Sequence, residues 1–251
     1  MDQGTLIMLN RRHVLAQLSS KVRETLVPAL LDGLPHTMRD EATEKAVLKG
    51  FLEDQIPGIV CRPTRECGEG QGQLGFSFPF RLGEQRVRSS LIVDAEQVSA
   101  YVTPYEVMDR AMKRVPPVHP GLRNLFDCAE QHDVRLGLIG SAALAAVTGL
   151  AYVRPQSDID VIVDTGHGGS LEAFNDAVAA LSEELGIAVD AELEVNASLG
   201  VKMKEYFSST RKVLVKYIDG IDLVEKENLP IYKDAAMLKN EATLESNRGI
   251  L

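Results

Sequence analysis

The residues best suited to chemistry lie in two nearby segments, Leu138-Ile139-Gly140-Ser141 and Ser157-Asp158-Ile159-Asp160-Val161-Ile162-Val163. Alternation along a strand sends Asp158 and Asp160 to one face and Ile159, Val161 and Val163 to the other. Two carboxylates held side by side repel each other unless a cation sits between them, and magnesium, which prefers oxygen ligands, suits such a pair. Gly140-Ser141 falls where a strand passes into a helix. Its free backbone N–H groups and the helix N-terminus form half of a phosphate site, and the glycine lets an anion approach closely. A third carboxylate is available from Asp190 or Glu192, because Asp190, Glu192 and Glu194 alternate onto one face of the strand that starts at Ile187.

The basic residues are less specific. Lys202, Lys204, Arg211, Lys212 and Lys216 read as the solvated face of the last strands, with Lys216 the one best placed to serve as a countercharge. Arg62 and Arg65 in a glycine-rich loop, and Arg86 and Arg88 on the next hairpin, fit either a phosphate-bearing ligand or the protection of an edge strand. Ser157 reads as a residue that caps or orients the acidic strand. His167, in a loop just beyond that strand, either lines the site or is merely solvated; the other histidines have no neighbours at metal-ligand spacing.

These residues must be positioned by two halves of chain. Three prolines and a glycine in Val115-Pro116-Pro117-Val118-His119-Pro120-Gly121 forbid a continuous helix there, which sets domains at residues 1–117 and 118–251. In the first half, apolar spacing predicts helices near 12–32 and 38–54. The period then changes to two, predicting strands at 59–61, 74–82 and 86–93, the last two joined through Gly83-Glu84. In the second half, helices near 120–131, from 141 and near 170–185 alternate with strands at 134–139, 159–163 and from 187. Ser170 and Gly186 cap the long helix. Short strands follow at 200–205, 211–217 and 220–224, and 240–251 reads as a frayed tail. The pattern is α+β, with a mixed sheet in the C-terminal domain and a smaller α+β N-terminal domain.

Composition limits the partners. With 36 acidic and 27 basic residues the chain carries nine net negative charges, so a nucleic-acid backbone meets a repulsive average field. Cys61, Cys67 and Cys128 form no CxxC pair, which suits a reducing cytoplasm. The uncharged run from Leu136 to Val153 is broken by glycines and alanines and reads as a buried strand and helix rather than a membrane span.

A glycine-serine turn, a helix, an Asp-x-Asp strand and a later acidic strand, in that order, resemble the nucleotidyltransferase superfamily of DNA polymerase β and the aminoglycoside nucleotidyltransferases. The interval from Ser141 to Asp158 is longer than in its compact members. A wider match is to the phosphoribosyl-dephospho-CoA transferases, the holo-acyl-carrier-protein synthases of malonate decarboxylase. Gly140-Ser141, then Thr148, Gly149 and Tyr152, then Ser157-Asp158-Ile159-Asp160 follow that family's order. Asp190-Ala191-Glu192 resembles its Asp-Gly-Glu segment, Met203-Lys204-Glu205 its Trp-Arg-Glu segment and Val213-Leu214-Val215-Lys216 its strand ending in lysine. Arg12-His13 and Ile59-Val60-Cys61-Arg62 fit its opening motifs.

The resemblance implies a nucleotidyltransferase-like C-terminal domain and an N-terminal domain that contacts substrate or carrier. It implies a transferase that takes triphosphoribosyl-dephospho-CoA and an acyl-carrier-protein subunit of malonate decarboxylase, or of the related citrate lyase system. By that resemblance a carrier serine attacks the α-phosphate and expels pyrophosphate. Asp158 and Asp160 hold Mg2+, Asp190 completes a second metal site and takes part in removing the serine proton, and Gly140 and Ser141 cradle the leaving phosphates. Lys204, Lys216 and Arg62 contact substrate. Two alternatives keep the same acids: a nucleotidyltransferase using an NTP, and a non-catalytic binding module.

Overall fold

The computed structural model describes residues 8–166 and 169–231, so His167 and the expected tail at 240–251 lie outside the described residues. Leu74, Phe76 and Phe78 are buried at every second position of a long strand, and this apolar side organises the first sheet. It contains β1 (Leu15–Leu18), β2 (Gly58–Cys61), β3 (Gln71–Leu82), β4 (Gln85–Asp94) and β5 (Val98–Val102), in the spatial order β4-β3-β2-β1-β5. Every neighbouring pair is antiparallel. β3 and β4 form the expected hairpin through Gly83, whose φ of +57° favours glycine. Two helices accompany this sheet, α1 (Ser20–Asp32), capped by Ser19, and α2 (Glu41–Leu48), capped by Asp40. Their Leu30 and Val47 share a core with Phe51, Phe76 and Phe78.

Two features differ from the sequence reading. Residues 15–18 form a strand, not the start of a helix, and β5 was not foreseen. Both follow from where β1 lies. It is hydrogen-bonded on both sides, to β2 and β5, and Leu15 enters one core while Ala16 and Leu18 enter another. A strand buried on both faces loses the alternation that marks a strand and resembles helical spacing over a short window.

The second sheet contains β6 (Leu136–Leu138), β7 (Ile159–Asp164), β8 (Val189–Asn196), β9 (Leu199–Lys202), β10 (Lys212–Tyr217) and β11 (Ile221–Glu225), in the order β11-β10-β9-β8-β7-β6. β7 and β8 are parallel, and the other neighbouring pairs are antiparallel. The chain also forms α3 (Pro104–Met112), α4 (Leu122–Gln131), α5 (Gly140–Thr148), α6 (Leu171–Leu185) and α7 (Met203–Tyr206). α6 provides the crossover that a parallel pair requires and ends at Gly186, φ +62°; Ser170 precedes it without a side-chain capping bond. Ile159, Val161 and Val163 are completely buried with Leu138, Leu144 and Phe174, as the alternation of β7 predicts. The apolar run from Leu136 to Val153 is β6 followed by α5, and no helix among the described residues is long and apolar enough to cross a membrane. The chain is thus an α+β protein with two sheets. α3 precedes the proline-rich segment, yet Val107, Met108 and Ala111 lie in the core of the second sheet. The strand expected at 200–205 stops at Lys202, so Lys204 lies on a helical turn and is exposed.

Polar contacts join the sheets at Tyr152 and at β8. Tyr152, fully buried, donates its hydroxyl to Ser77 O at 2.8 Å, and Arg86 returns a bond to Tyr152 O at 2.8 Å while lying 5.2 Å from the ring centre. At the other contact Arg11, Arg12 and His13 reach carboxylates of β8. Within the first core, Arg23 is fully buried and donates to Leu18 O, Phe51 O, Gln55 O and Ile56 O, anchoring the first turn of α1 against the chain that leads into β2. Burial lowers its pKa to about 10. Arg23→Met keeps much of the apolar stem but leaves these carbonyls without donors. Urea unfolding should show a loss of about 3 kcal/mol or more, and a change under about 1 kcal/mol would show that water replaces the guanidinium.

Candidate active site

A cleft of about 730 Å³ opens between the two sheets. Its floor on the C-terminal side is made by Gly140, Ser141, Asp158 and Asp160, and the opposite wall by Arg81, Arg86 and Arg88 of the β3–β4 hairpin. Gly140 starts α5 with φ +67°, and a Cβ there would collide with the Asp160 carboxylate. Ile139 N donates to Asp160 O at 3.1 Å, tying the helix start to β7. Only glycine permits both the left-handed backbone and this approach. The first N–H groups of α5 have no partners within the helix and so remain donors for an anion.

The acids are arranged by strand register. Parallel pairing sets Asp160 opposite Asp190, Ile162 opposite Glu192 and Asp164 opposite Glu194. In the last of these rows Arg11 Nη2 lies 3.2 Å from the Glu194 carboxylate, Tyr105 donates to it at 2.5 Å, and Arg135 lies 3.7 Å from Asp164. In the middle row Glu192, nearly inaccessible to solvent, meets Arg12 at 2.7 Å, Lys216 at 3.2 Å and His13 at 3.4 Å. Burial alone raises its pKa, but the bonds from His13 and Arg12 outweigh burial and hold the carboxyl far below the usual range. The first row differs. Burial, then the charges of Asp158 and Asp190, push the Asp160 carboxyl up to about 6, with Lys202 pulling the other way. Lys202 pairs directly with Asp190.

The structure therefore brings Asp158, Asp160, Gly140 and Ser141 together in the cleft and sets Asp190 beside Asp160. It separates Glu192, which the alternation left as an equal candidate, by engaging it with three basic side chains. Lys216 faces Glu192 rather than the acid pair. With Arg62 it lines a second cavity of about 240 Å³, whose lining shares Ile59 and Cys61 with the main cleft. Lys204 lines neither. Arg81 is the residue that sequence reasoning missed. Its Nε is buried without a hydrogen-bond partner among the described residues, and its signal was its place with Arg86 and Arg88 around the Gly83 turn.

The donor set suits a hard cation. Asp160, whose ionisation is disfavoured by burial and by the neighbouring Asp158 charge, gains from a divalent ion, and magnesium is commonly held by one or two protein carboxylates with phosphate oxygens completing its shell. No three His, Cys, Asp or Glu side chains converge as metal ligands among the described residues, consistent with Asp190 being turned to Lys202. The raised pKa has a consequence for the metal-free protein. Asp160 keeps its proton up to about pH 6 when folded, against an ordinary value of 3.8, so its contribution to stability is full below pH 3.8 and is lost as pH rises through 6. In the presence of a chelator, Asp160→Asn should raise the Tm by a few degrees above pH 6 and leave it unchanged below pH 3.8. An equal rise at both pH values would trace the gain to packing instead.

Comparison with known proteins places the chain. The model described as phosphoribosyl-dephospho-CoA transferase MdcG N-terminal domain matches residues 11–104, and that of the MdcG C-terminal domain matches residues 106–227. Proteins named phosphoribosyl-dephospho-CoA transferase are similar along most of their length. One from Xanthomonas euvesicatoria pv. vesicatoria is 28% identical over 188 residues, covering 71% of this chain and 86% of that protein. One from Bradyrhizobium diazoefficiens is 28% identical over 188 residues, with 75% and 82% covered. One from Pseudomonas syringae pv. tomato is 27% identical over 208 residues, with 78% and 89% covered. No solved structure matches the chain. With both domain models matched in sequence order and both sheets meeting at the cleft, the chain belongs to the phosphoribosyl-dephospho-CoA transferase family of enzymes.

Proposed function

We propose that this transferase moves the phosphoribosyl-dephospho-CoA group from triphosphoribosyl-dephospho-CoA to a serine of the acyl-carrier-protein subunit of malonate decarboxylase, releasing pyrophosphate. One observation carries the reading: a single cleft faces two carboxylates, Asp158 and Asp160, with three arginines, Arg81, Arg86 and Arg88. Acids on one side and forked cations on the other suit a polyphosphate that arrives with a metal.

In this reading Asp158 and Asp160 hold Mg2+, which would offset charge on the phosphates during in-line displacement. The chain's own groups do the rest. The N–H groups at Gly140 and Ser141 hold the leaving phosphates at the start of α5. Arg81 and Arg88 bind the same phosphates from the hairpin, while Arg86, committed to Phe78 O and Tyr152 O, fixes that wall in place. The serine Oγ forms a bond to the α-phosphorus, the bond from that phosphorus to the β-phosphate oxygen breaks, and Asp190 accepts the serine proton. The product is a phosphodiester, and the displaced group leaves as pyrophosphate. The cavity beside Arg62 and Lys216 takes the dephospho-CoA end, whose diphosphate meets those cations. Such catalysis relies on positioning and charge, with no nucleophile supplied by the enzyme.

Intact mass spectrometry of the apo carrier tests this, with magnesium and triphosphoribosyl-dephospho-CoA and with pyrophosphate followed in parallel. The malonate decarboxylase carrier should gain the mass of the phosphoribosyl-dephospho-CoA group with one pyrophosphate released per event. A citrate lyase carrier run beside it shows which of the two carriers the enzyme modifies. Asp158→Ala and Asp160→Ala should each lose the gain, and Arg88→Ala should raise KM for the triphosphate about tenfold, the loss of roughly 1.4 kcal/mol of binding. Pyrophosphate released from ATP with no carrier modification would replace this reading with that of an NTP-dependent nucleotidyltransferase.

A further inference from the structure

We infer that the Lys202 ammonium group stands permanently where a second metal ion would otherwise sit, so that the transfer runs with one divalent ion per site. The inference rests on the reading of the cleft given above and takes Asp190 out of the second metal site that the family resemblance implies. Register places Lys202 on β9 opposite Glu192 on β8, which puts its side chain on the same sheet face as the acids. Glu192 is already held by Arg12, His13 and Lys216, so Lys202 reaches along the strand to Asp190 and pairs with Oδ2. Asp190 is in turn the direct neighbour of Asp160 across the parallel pair. A cation bridging Asp160 and Asp190 would meet the Lys202 ammonium, already paired with Asp190, within ion-pair distance.

Of the cleft acids, Asp158 and Asp160 have no such partner among the described residues and remain to share an ion. The exchange of a metal for an ammonium also alters the chemistry. Lysine offsets the charge of Asp190 and orients its carboxylate, but it cannot bind the serine oxygen as a Lewis acid does. The proton leaving Oγ therefore passes to the free oxygen of Asp190 while the new bond to phosphorus forms.

Counting bound metal separates the possibilities. Mn2+ alone is titrated into the full chain, and free ion is followed by electron paramagnetic resonance. The wild type should take up one Mn2+ per chain, Lys202→Arg should still take up one, and Lys202→Met should take up two. Asp158→Asn should lose the single ion of the wild type. Two ions bound by the wild type would overturn the inference and leave the metal-dependent reading of the cleft intact. No ion bound by the wild type would overturn both. One ion in a folded Lys202→Met chain, checked by its circular dichroism and thermal transition, would show that Lys202 does not occupy the position. The wild-type count is decisive against the inference whether or not the variant folds.

Discussion

Like charges side by side on two parallel strands are the constraint around which this molecule is built. A parallel pair in register cannot stagger its acids, so the alternating carboxylates of β7 and β8 form rows across the sheet. Each row is tolerable only when cations meet it. The Asp164/Glu194 row and Glu192 are met by Arg11, Arg12, His13, Arg135 and Lys216. These partners come from the start of the chain, from the approach to β6 and from β10, so neutralising the acids also brings distant segments together. Among the described residues, the row at Asp160 and Asp190 pairs with Lys202 alone. The place where the fold leaves negative charge under-compensated is also the place that opens to the cleft, and Asp160 registers the deficit in its raised pKa.

The polar contacts between the sheets at Glu192 and at Tyr152 have different chemistry and different effects. The Glu192 cluster is ionic around one buried carboxylate, and its worth depends on that carboxylate remaining paired. The contact at Tyr152 is a buried ring with a guanidinium beside it and two hydrogen bonds to backbone carbonyls. Burial pushes the tyrosine hydroxyl's pKa well above its ordinary value, which keeps it a donor to Ser77 O. Arg86 thus spends its donors on the fold, and its neighbours Arg81 and Arg88 face the cleft with fewer internal commitments.

How much of this was legible in the sequence depended on the range of the interaction. The β7 alternation and the Gly140 turn are local, and both appear where the residues predicted them. β1 was not legible, because a strand that serves two cores carries no local sign of its second face. The choice between Asp190 and Glu192 was not legible either. Alternation places both on one face, and what separates them is Arg12 and His13, some 179 residues away from Glu192 along the chain. Lys202 and Lys204 differ in a similar way: the end of β9 between them decides which one meets an acid and which one meets water.

The double burial of β1 has a mechanical meaning. Leu15 is wedged into the core of the second sheet while its neighbours Ala16 and Leu18 anchor in the first, so one short strand is a common wall of both compartments. A chain of two independent lobes can swing about its linker and close on a ligand like a jaw. Here any such swing would have to draw Leu15 out of its packing, and the proline-rich segment is no pivot between the sheets, because α3 and α4 on either side of it both pack in the second core. The gap between the acids and the arginines is therefore of nearly fixed width. A slot held in this way asks a ligand to adapt its own shape to the gap.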